Sequence, residues 1–180
     1  VHDRDCRPDV DQVVVPAGVD GFGQLVDHLR SVGLDDADRK YLVAWDNAAT
    51  SLSFCGLAEL RLDSTPGPGN ANDDQADGSQ FAAVDSGRGC WVDSIAAHEL
   101  VHTFGAIQHD APHTTGRGHC TDESDLMCYV DVDDGSVTLT YDCPFDQETL
   151  LDCGDDDYFH TAPPAGSYLD SHWNVAASRF

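Results

Sequence analysis

Hydrophobic residues in the first half of the chain recur at spacings that predict a mixture of helices and strands. The apolar residues of segment 22–32 follow a helical period, and Gly33 comes where that helix would end. Short runs of β-branched or apolar residues bounded by turn residues are typical of strands. Four runs have this character, namely 10–15, 41–45, 54–62 and 81–84.

The clearest helical pattern covers residues 91–104, where apolar residues and two histidines share one stripe before Gly105. Residues 65–79 (TPGPGNANDDQADGS) have no hydrophobic period and many residues that interrupt helices and strands. We therefore predict a surface loop there. Beyond Gly105 the chain is irregular and rich in Gly, Pro and Asp. This order of elements predicts an α+β fold.

The length of the chain, 180 residues, suits a single domain. We expect one domain over 1–180, with an N-terminal lobe of about 1–105 that ends in the helix. A loop-rich C-terminal lobe would then cover about 106–180. No run of about 18 or more apolar residues occurs, so no segment is expected to span a membrane.

The composition is strongly acidic, with 33 Asp and Glu against nine Lys and Arg and a formal net charge of −24 at pH 7. Such a surface repels phosphate backbones, so nucleic acid is not an expected partner. A solvated acidic surface, bound Ca²⁺ and adaptation to high salt all fit this composition. The acidic turn 155–157 is a local candidate for calcium, although it lacks the spacing of an EF-hand.

Seven cysteines are typical of a protein from an oxidising compartment, so we expect a secreted, extracellular protein. An odd number leaves at least one cysteine outside any intramolecular scheme. Short spacings favour Cys120 with Cys128 and Cys143 with Cys153, and Cys55 with Cys90 is the longer candidate. Cys6 is then left over.

Residues 98–102 read HELVH on the predicted helix. Positions four apart share one face of a helix, so His98 and His102 can bind one Zn²⁺ through their imidazole nitrogens. Glu99 lies one position round, where it can reach a water at the metal instead of the metal itself. This pattern predicts hydrolysis, with Glu99 as general base.

The motif continues to Gly105 as HExxHxxG, and Met127, the single methionine, follows in Asp125-Leu-Met-Cys-Tyr. With these residues the chain resembles the metzincin metallopeptidases, and in more detail a group of secreted actinobacterial metallopeptidases of that clan. The resemblance covers most of the chain. It is carried by Cys55-Gly56, by Gly89-Cys-Trp and by the stretches 96–113, 118–122, 125–129 and 156–174.

The resemblance implies a metzincin-like fold, with a mixed twisted sheet and the active-site helix in the N-terminal lobe and a disulfide-stapled C-terminal lobe. It implies that Met127 forms a tight turn beneath the metal. It also implies that Tyr129, two residues later, stabilises an oxyanion. A tyrosine that only packs under the site is an equally good interpretation of Tyr129.

The third zinc ligand stays open, because the metzincin position for it is occupied here by Gln108. By spacing, His109 needs the smallest adjustment. By resemblance, His113 is favoured, because an Ala-Pro-His triplet recurs in the similar proteins. His119 is a further alternative, since a catalytic zinc needs three protein ligands and one open position.

These observations predict a zinc endopeptidase that acts on extracellular polypeptides as a monomer. A peptide would lie extended in the cleft between the lobes and pair with an exposed strand edge. Two alternatives remain, a binding module that has lost activity and a zinc amidase that acts on a non-protein substrate. The intact Glu99 argues against the first.

Overall fold

A small mixed sheet forms the centre of the N-terminal half of the molecule. The computed structural model describes residues 9–46, 54–131, 135–145 and 150–180. Strand β3 lies between β1, which is parallel to it, and β2, which is antiparallel. The strands are β1 (Lys40–Trp45), β2 (Gly56–Ala58) and β3 (Gln80–Asp85), and the helices are α1 (Phe22–Ser31), α2 (Ala71–Asp74), α3 (Asp93–Thr103) and α4 (Tyr168–Ser171).

The central strand β3 is buried along its whole length, and successive side chains alternate between its two faces. Phe81 and Ala83 join the apolar face of α1 in one core cluster. Helix α3 also packs against β3, next to β2. The small side chains of β3 allow this close packing, and the sheet thereby sets the position of α3.

A second core cluster supports the other side of α3 and consists largely of irregular chain. It contains Val101 of α3 together with Ile107, Met127 and Tyr158, all buried. The buried carboxylate of Asp152 organises this region, because it accepts hydrogen bonds from four backbone N–H groups at residues 156–159. Side-chain acceptors therefore take the place of regular secondary structure here.

All three predicted disulfides are confirmed. Cys55 is bonded to Cys90, Cys120 to Cys128 and Cys143 to Cys153. Cys6 lies outside the described residues. The first bridge ties the sheet to the start of α3, and the other two close loops in the C-terminal half.

The predicted α+β class and the mixed sheet are confirmed, as are the helices at 22–32 and 91–104 and the strands at 41–45 and 81–84. The strand predicted over 54–62 shortens to β2. The division into lobes of about 1–105 and 106–180 stays a prediction. No helix in the described part of the chain is long and apolar enough to cross a membrane.

Two sequence predictions are wrong. Residues 10–15 pair with no strand in the described structure, although Val13 and Val15 pack on the α1 cluster. Residues 65–79 are not only a surface loop, because Asn70, Asn72 and Gln75 are almost completely buried there. Their amides bond to backbone groups elsewhere, as in the two hydrogen bonds between Asn72 and the backbone of Arg61. Burial is possible because each polar group has a partner.

Candidate active site

Helix α3 presents two imidazoles on one face. His98 and His102 are one turn apart, and their Nε2 atoms lie 3.2 Å from each other. The Nδ1 atom of His98 is 2.7 Å from the carbonyl oxygen of Leu126, and that of His102 is 3.0 Å from the carbonyl oxygen of Ala106. These contacts fix the orientation of both rings.

His119, from the irregular chain after α3, completes a group of three. Its Nε2 atom lies 3.2 Å from Nε2 of His102, and its Nδ1 atom is 2.9 Å from a carboxylate oxygen of Asp131. Thr115 donates a second hydrogen bond to the same Asp131 oxygen. Asp131 is thus an orienting residue that the sequence analysis missed.

The chemistry of this group fits a metal cation. Each Nδ1 faces an oxygen that accepts a hydrogen bond, so in the neutral rings the proton is on Nδ1 and the lone pair is on Nε2. Three lone pairs therefore converge, an arrangement that a bound cation stabilises. Three imidazoles are a known ligand set for catalytic Zn²⁺, and oxygen partners on Nδ1 are typical of such ligands.

Burial keeps these rings neutral. It lowers the pKa of His98 to about 4, an effect that the nearby His119 reinforces. Burial also lowers the pKa of His102 well below its ordinary value and lowers that of His119, for which Asp131 acts in the opposite direction. A neutral imidazole is the form that binds a metal.

Glu99 lies beside the three histidines and is nearly buried, with 8% of the residue exposed. Desolvation raises the pKa of its carboxyl group to about 8. A cation bound by the adjacent histidines would lower this pKa and favour the carboxylate form that a general base needs. Within the described residues no donor forms a hydrogen bond with this carboxylate, so both oxygens can accept one from water. A Cβ atom built on Gly56 of β2 would lie only 2.3 Å from Oε1 of Glu99. The Glu99 carboxylate can therefore occupy this position only because residue 56 is a glycine and has no Cβ atom.

An open cavity of about 480 Å³ adjoins this group, lined by Gly56, Ile95, His98, Glu99, Glu123 and Tyr129 among others. The Tyr129 ring is half-exposed, and its centroid lies 4.1 Å from that of His119 and 5.8 Å from that of His98. Burial, with the carboxylates of Glu99 and Asp131 close by, raises the pKa of its phenol. Tyr129 is thus protonated at neutral pH and can donate a hydrogen bond into the cavity.

Met127 is fully buried in the cluster that supports α3. It follows Leu126, whose carbonyl oxygen holds His98. Asp125 accepts a 2.7 Å hydrogen bond from the Met127 N–H and another from the Tyr158 hydroxyl. Asp125 thus holds the turn that contains Met127, and the carbonyl oxygen of Leu126 in that turn orients His98.

The structure does not bring His109 or His113 to the other histidines. Gln108 is buried and bonded to Asp63 and Gly105, which anchors the loop so that His109 is exposed. His113 instead lies 3.0 Å from a carboxylate oxygen of Asp157. The set that converges is therefore His98, His102 and His119, and not the favoured set with His113.

One signal in the sequence could have indicated His119. It directly precedes Cys120, and the disulfide to Cys128 was predictable from spacing. That bridge brings the chain at 119 close to the turn at Met127, and thereby close to His98.

Of three comparisons with known proteins, one found a match. No match to the chain was found among curated proteins or among solved structures. A family model described as metallo-peptidase family M12B, reprolysin-like, matches residues 31–152. This segment includes all three histidines, Glu99 and Met127, and the match supports the metzincin resemblance. Since the matched segment covers more than half of the 180 residues, the chain belongs to the M12B reprolysin-like family of metallopeptidases.

Proposed function

We propose that the chain is a secreted zinc endopeptidase in which His98, His102 and His119 bind the metal and Glu99 is the general base. The observation that carries this proposal is the convergence of three Nε2 atoms, on rings whose Nδ1 atoms each face a hydrogen-bond acceptor, beside a carboxylate that has no hydrogen-bond donor among the described residues. His98 and Glu99 line the same cavity. The three disulfides support an oxidising, extracellular location.

When bound, Zn²⁺ supplies Lewis-acid chemistry, which polarises a peptide carbonyl and lowers the pKa of water to about 7. Glu99 accepts the proton that the water loses as its oxygen attacks the carbonyl carbon. Glu99 then gives this proton to the amide nitrogen as the C–N bond breaks. The products are a new carboxyl group and a new amine, so atoms and protons balance.

Tyr129 supplies a further interaction in the proposed reaction. Its phenol donates a hydrogen bond to the oxygen of the scissile carbonyl, where negative charge develops. The partial exposure of Tyr129 and its closeness to His119 support this role. Removing one such donor typically costs about 100- to 1000-fold in kcat.

The substrate is a polypeptide that lies extended along β2. This strand is at the edge of the described sheet, and Gly56 at its start lines the cavity. An edge strand has unpaired backbone groups that can form hydrogen bonds with an extended peptide. A peptide bond in the middle of a chain would then reach the three histidines, which favours an endopeptidase.

The test compares casein cleavage and bound zinc for wild type, Glu99→Gln, His119→Ala and His113→Ala. Glu99→Gln should keep the zinc content of wild type and lose about 100- to 10,000-fold in kcat. His119→Ala should lose one zinc equivalent together with activity, whereas His113→Ala should still cleave casein.

Two results would contradict the proposal. Loss of cleavage in His113→Ala, with cleavage retained in His119→Ala, would refute the ligand set. A wild type that binds zinc and cuts neither casein nor other polypeptides would favour a binding module, or an amidase if it cuts cell-wall peptide.

A further inference from the structure

A second group of metal-binding side chains lies in the C-terminal half and shares no residue with the three histidines. Its members are His113, Asp156 and Asp157. The Nδ1 atom of His113 is 3.0 Å from Oδ1 of Asp157 and 3.7 Å from Oδ1 of Asp156. One ligand atom from each residue lies within 4.8 Å of the other two. These distances suit three ligands of one cation.

The buried carboxylate of Asp157 is the observation that points to a ligand. Only 8% of its side chain is exposed, and within the described residues His113 alone forms a hydrogen bond with its oxygens. An isolated buried carboxylate is unfavourable, because it has lost water without gaining enough donors or positive charge. The His113 side chain, half-exposed, supplies one N–H at most.

The surroundings of Asp157 increase this need for positive charge. Burial, and next the carboxylates of Asp152 and Asp156, raise the pKa of Asp157 to about 9. Asp152 is itself satisfied, because its oxygens accept hydrogen bonds from four backbone N–H groups. Asp125, also nearby, accepts hydrogen bonds from the Tyr158 hydroxyl and two backbone N–H groups. Of these carboxylates, Asp157 is the buried one whose oxygens, among the described residues, have a partner only inside the group, whereas Asp156 is about half-exposed to water.

We propose that His113, Asp156 and Asp157 bind a second divalent transition-metal ion, with Zn²⁺ as the expected ion in a secreted protein. One imidazole and two carboxylates are a suitable ligand set for zinc, whereas calcium is bound by oxygen ligands alone. The site connects the loop after α3 with the turn at 155–157.

The test measures tightly bound metal in the full chain after dialysis against zinc-free buffer. Wild type should contain two zinc equivalents, His102→Ala one, His113→Ala one, and the double variant none. Asp157→Asn should also contain one. His109→Ala is the matched control, because this exposed histidine lies outside both groups, and it should contain two.

A second measurement follows thermal stability; like the metal content, it does not depend on enzymatic activity. In the His102→Ala background, added zinc should raise the thermal midpoint, and His113→Ala should abolish that increase. A His113→Ala protein that contains as much zinc as wild type would overturn the proposal and leave an ordinary histidine–carboxylate pair. Retention of calcium instead of zinc at this site would also overturn it. Because the two sites are removed by different variants, a failure here is distinct from a failure of the proposed peptidase site.

Discussion

Replacing Gly56 with alanine perturbs the Glu99 carboxylate without changing any proposed metal ligand. The new Cβ would lie 2.3 Å from Oε1 of Glu99, 2.4 Å from Cγ and 2.5 Å from Cδ. Favourable contacts between such atoms begin at about 3.5 Å, so a relative movement of about 1 Å is required. Gly56 belongs to a strand paired with the buried β3, and the Glu99 side chain is therefore the part that moves.

A displacement of about 1 Å at a reacting group can lower the rate about 100-fold. We therefore expect Gly56→Ala to lower kcat/KM for peptide cleavage about 100-fold, mainly through kcat. The zinc content should not change, because the atoms nearest to the added Cβ all belong to Glu99. The added methyl group should lower the free energy of unfolding by about 1 to 3 kcal/mol, which is typical of overpacking.

The assay measures kcat and KM on a fluorogenic peptide, with bound zinc determined on the same samples. Gly23→Ala is the control, because its added Cβ meets no atom within 4 Å. The combined variant tests the cause. In a Glu99→Gln background the base is already absent, so adding Gly56→Ala should lower kcat/KM only slightly further. Activity of Gly56→Ala equal to wild type, or a full additional loss in the combined variant, would refute the reasoning.

Three further changes test the parts of the molecule that surround the site. Asp131→Ala removes the acceptor for His119 and should weaken zinc binding about 10- to 100-fold, as measured by competition with a chelator. Asp152→Ala removes the acceptor for four backbone N–H groups and should lower the free energy of unfolding by at least about 3 kcal/mol in urea titrations. Burial, with Arg61 close by, lowers the pKa of Lys40 from 10.5 to about 7, so unfolding takes up a proton between these values. The unfolding free energy of wild type, relative to Lys40→Met, should therefore rise with pH above about 7, by up to about 1 kcal/mol per pH unit.

Each of these predictions has an outcome that would contradict it. Unchanged zinc affinity in Asp131→Ala would mean that the His119 ring needs no partner on Nδ1. A stable Asp152→Ala protein would show that the turn at 155–159 forms without that carboxylate. A pH-independent difference between wild type and Lys40→Met would show that Lys40 titrates alike in the folded and unfolded chain.

The sequence was sufficient to predict the elements that depend on residues close together in the chain. Helix α3 and the shared face of His98 and His102 follow from the helical period, which acts over a few residues. Strands β1 and β3 were indicated by short apolar runs, and the short disulfides by their spacing. In each case the residues that interact are close in the chain or belong to one regular element.

The partners in the irregular half became apparent only in the packed structure. Whether His113 or His119 lies close to the α3 histidines depends on the path of a loop that has no repeating geometry. Gln108 anchors this loop through hydrogen bonds to Asp63 and Gly105. The role of Gly56 opposite Glu99 likewise depends on how β2 packs against α3.

The burial of polar side chains in residues 65–79 also became apparent only in the packed structure. Composition predicts a solvated loop there, yet Asn72 and Gln75 are buried because their amides meet backbone groups of Arg61 and Ala37. The cost of burying an amide depends on whether a partner is present. Those partners lie outside residues 65–79, so the composition of this segment could not reveal them, and only the tertiary contacts decide between exposure and burial.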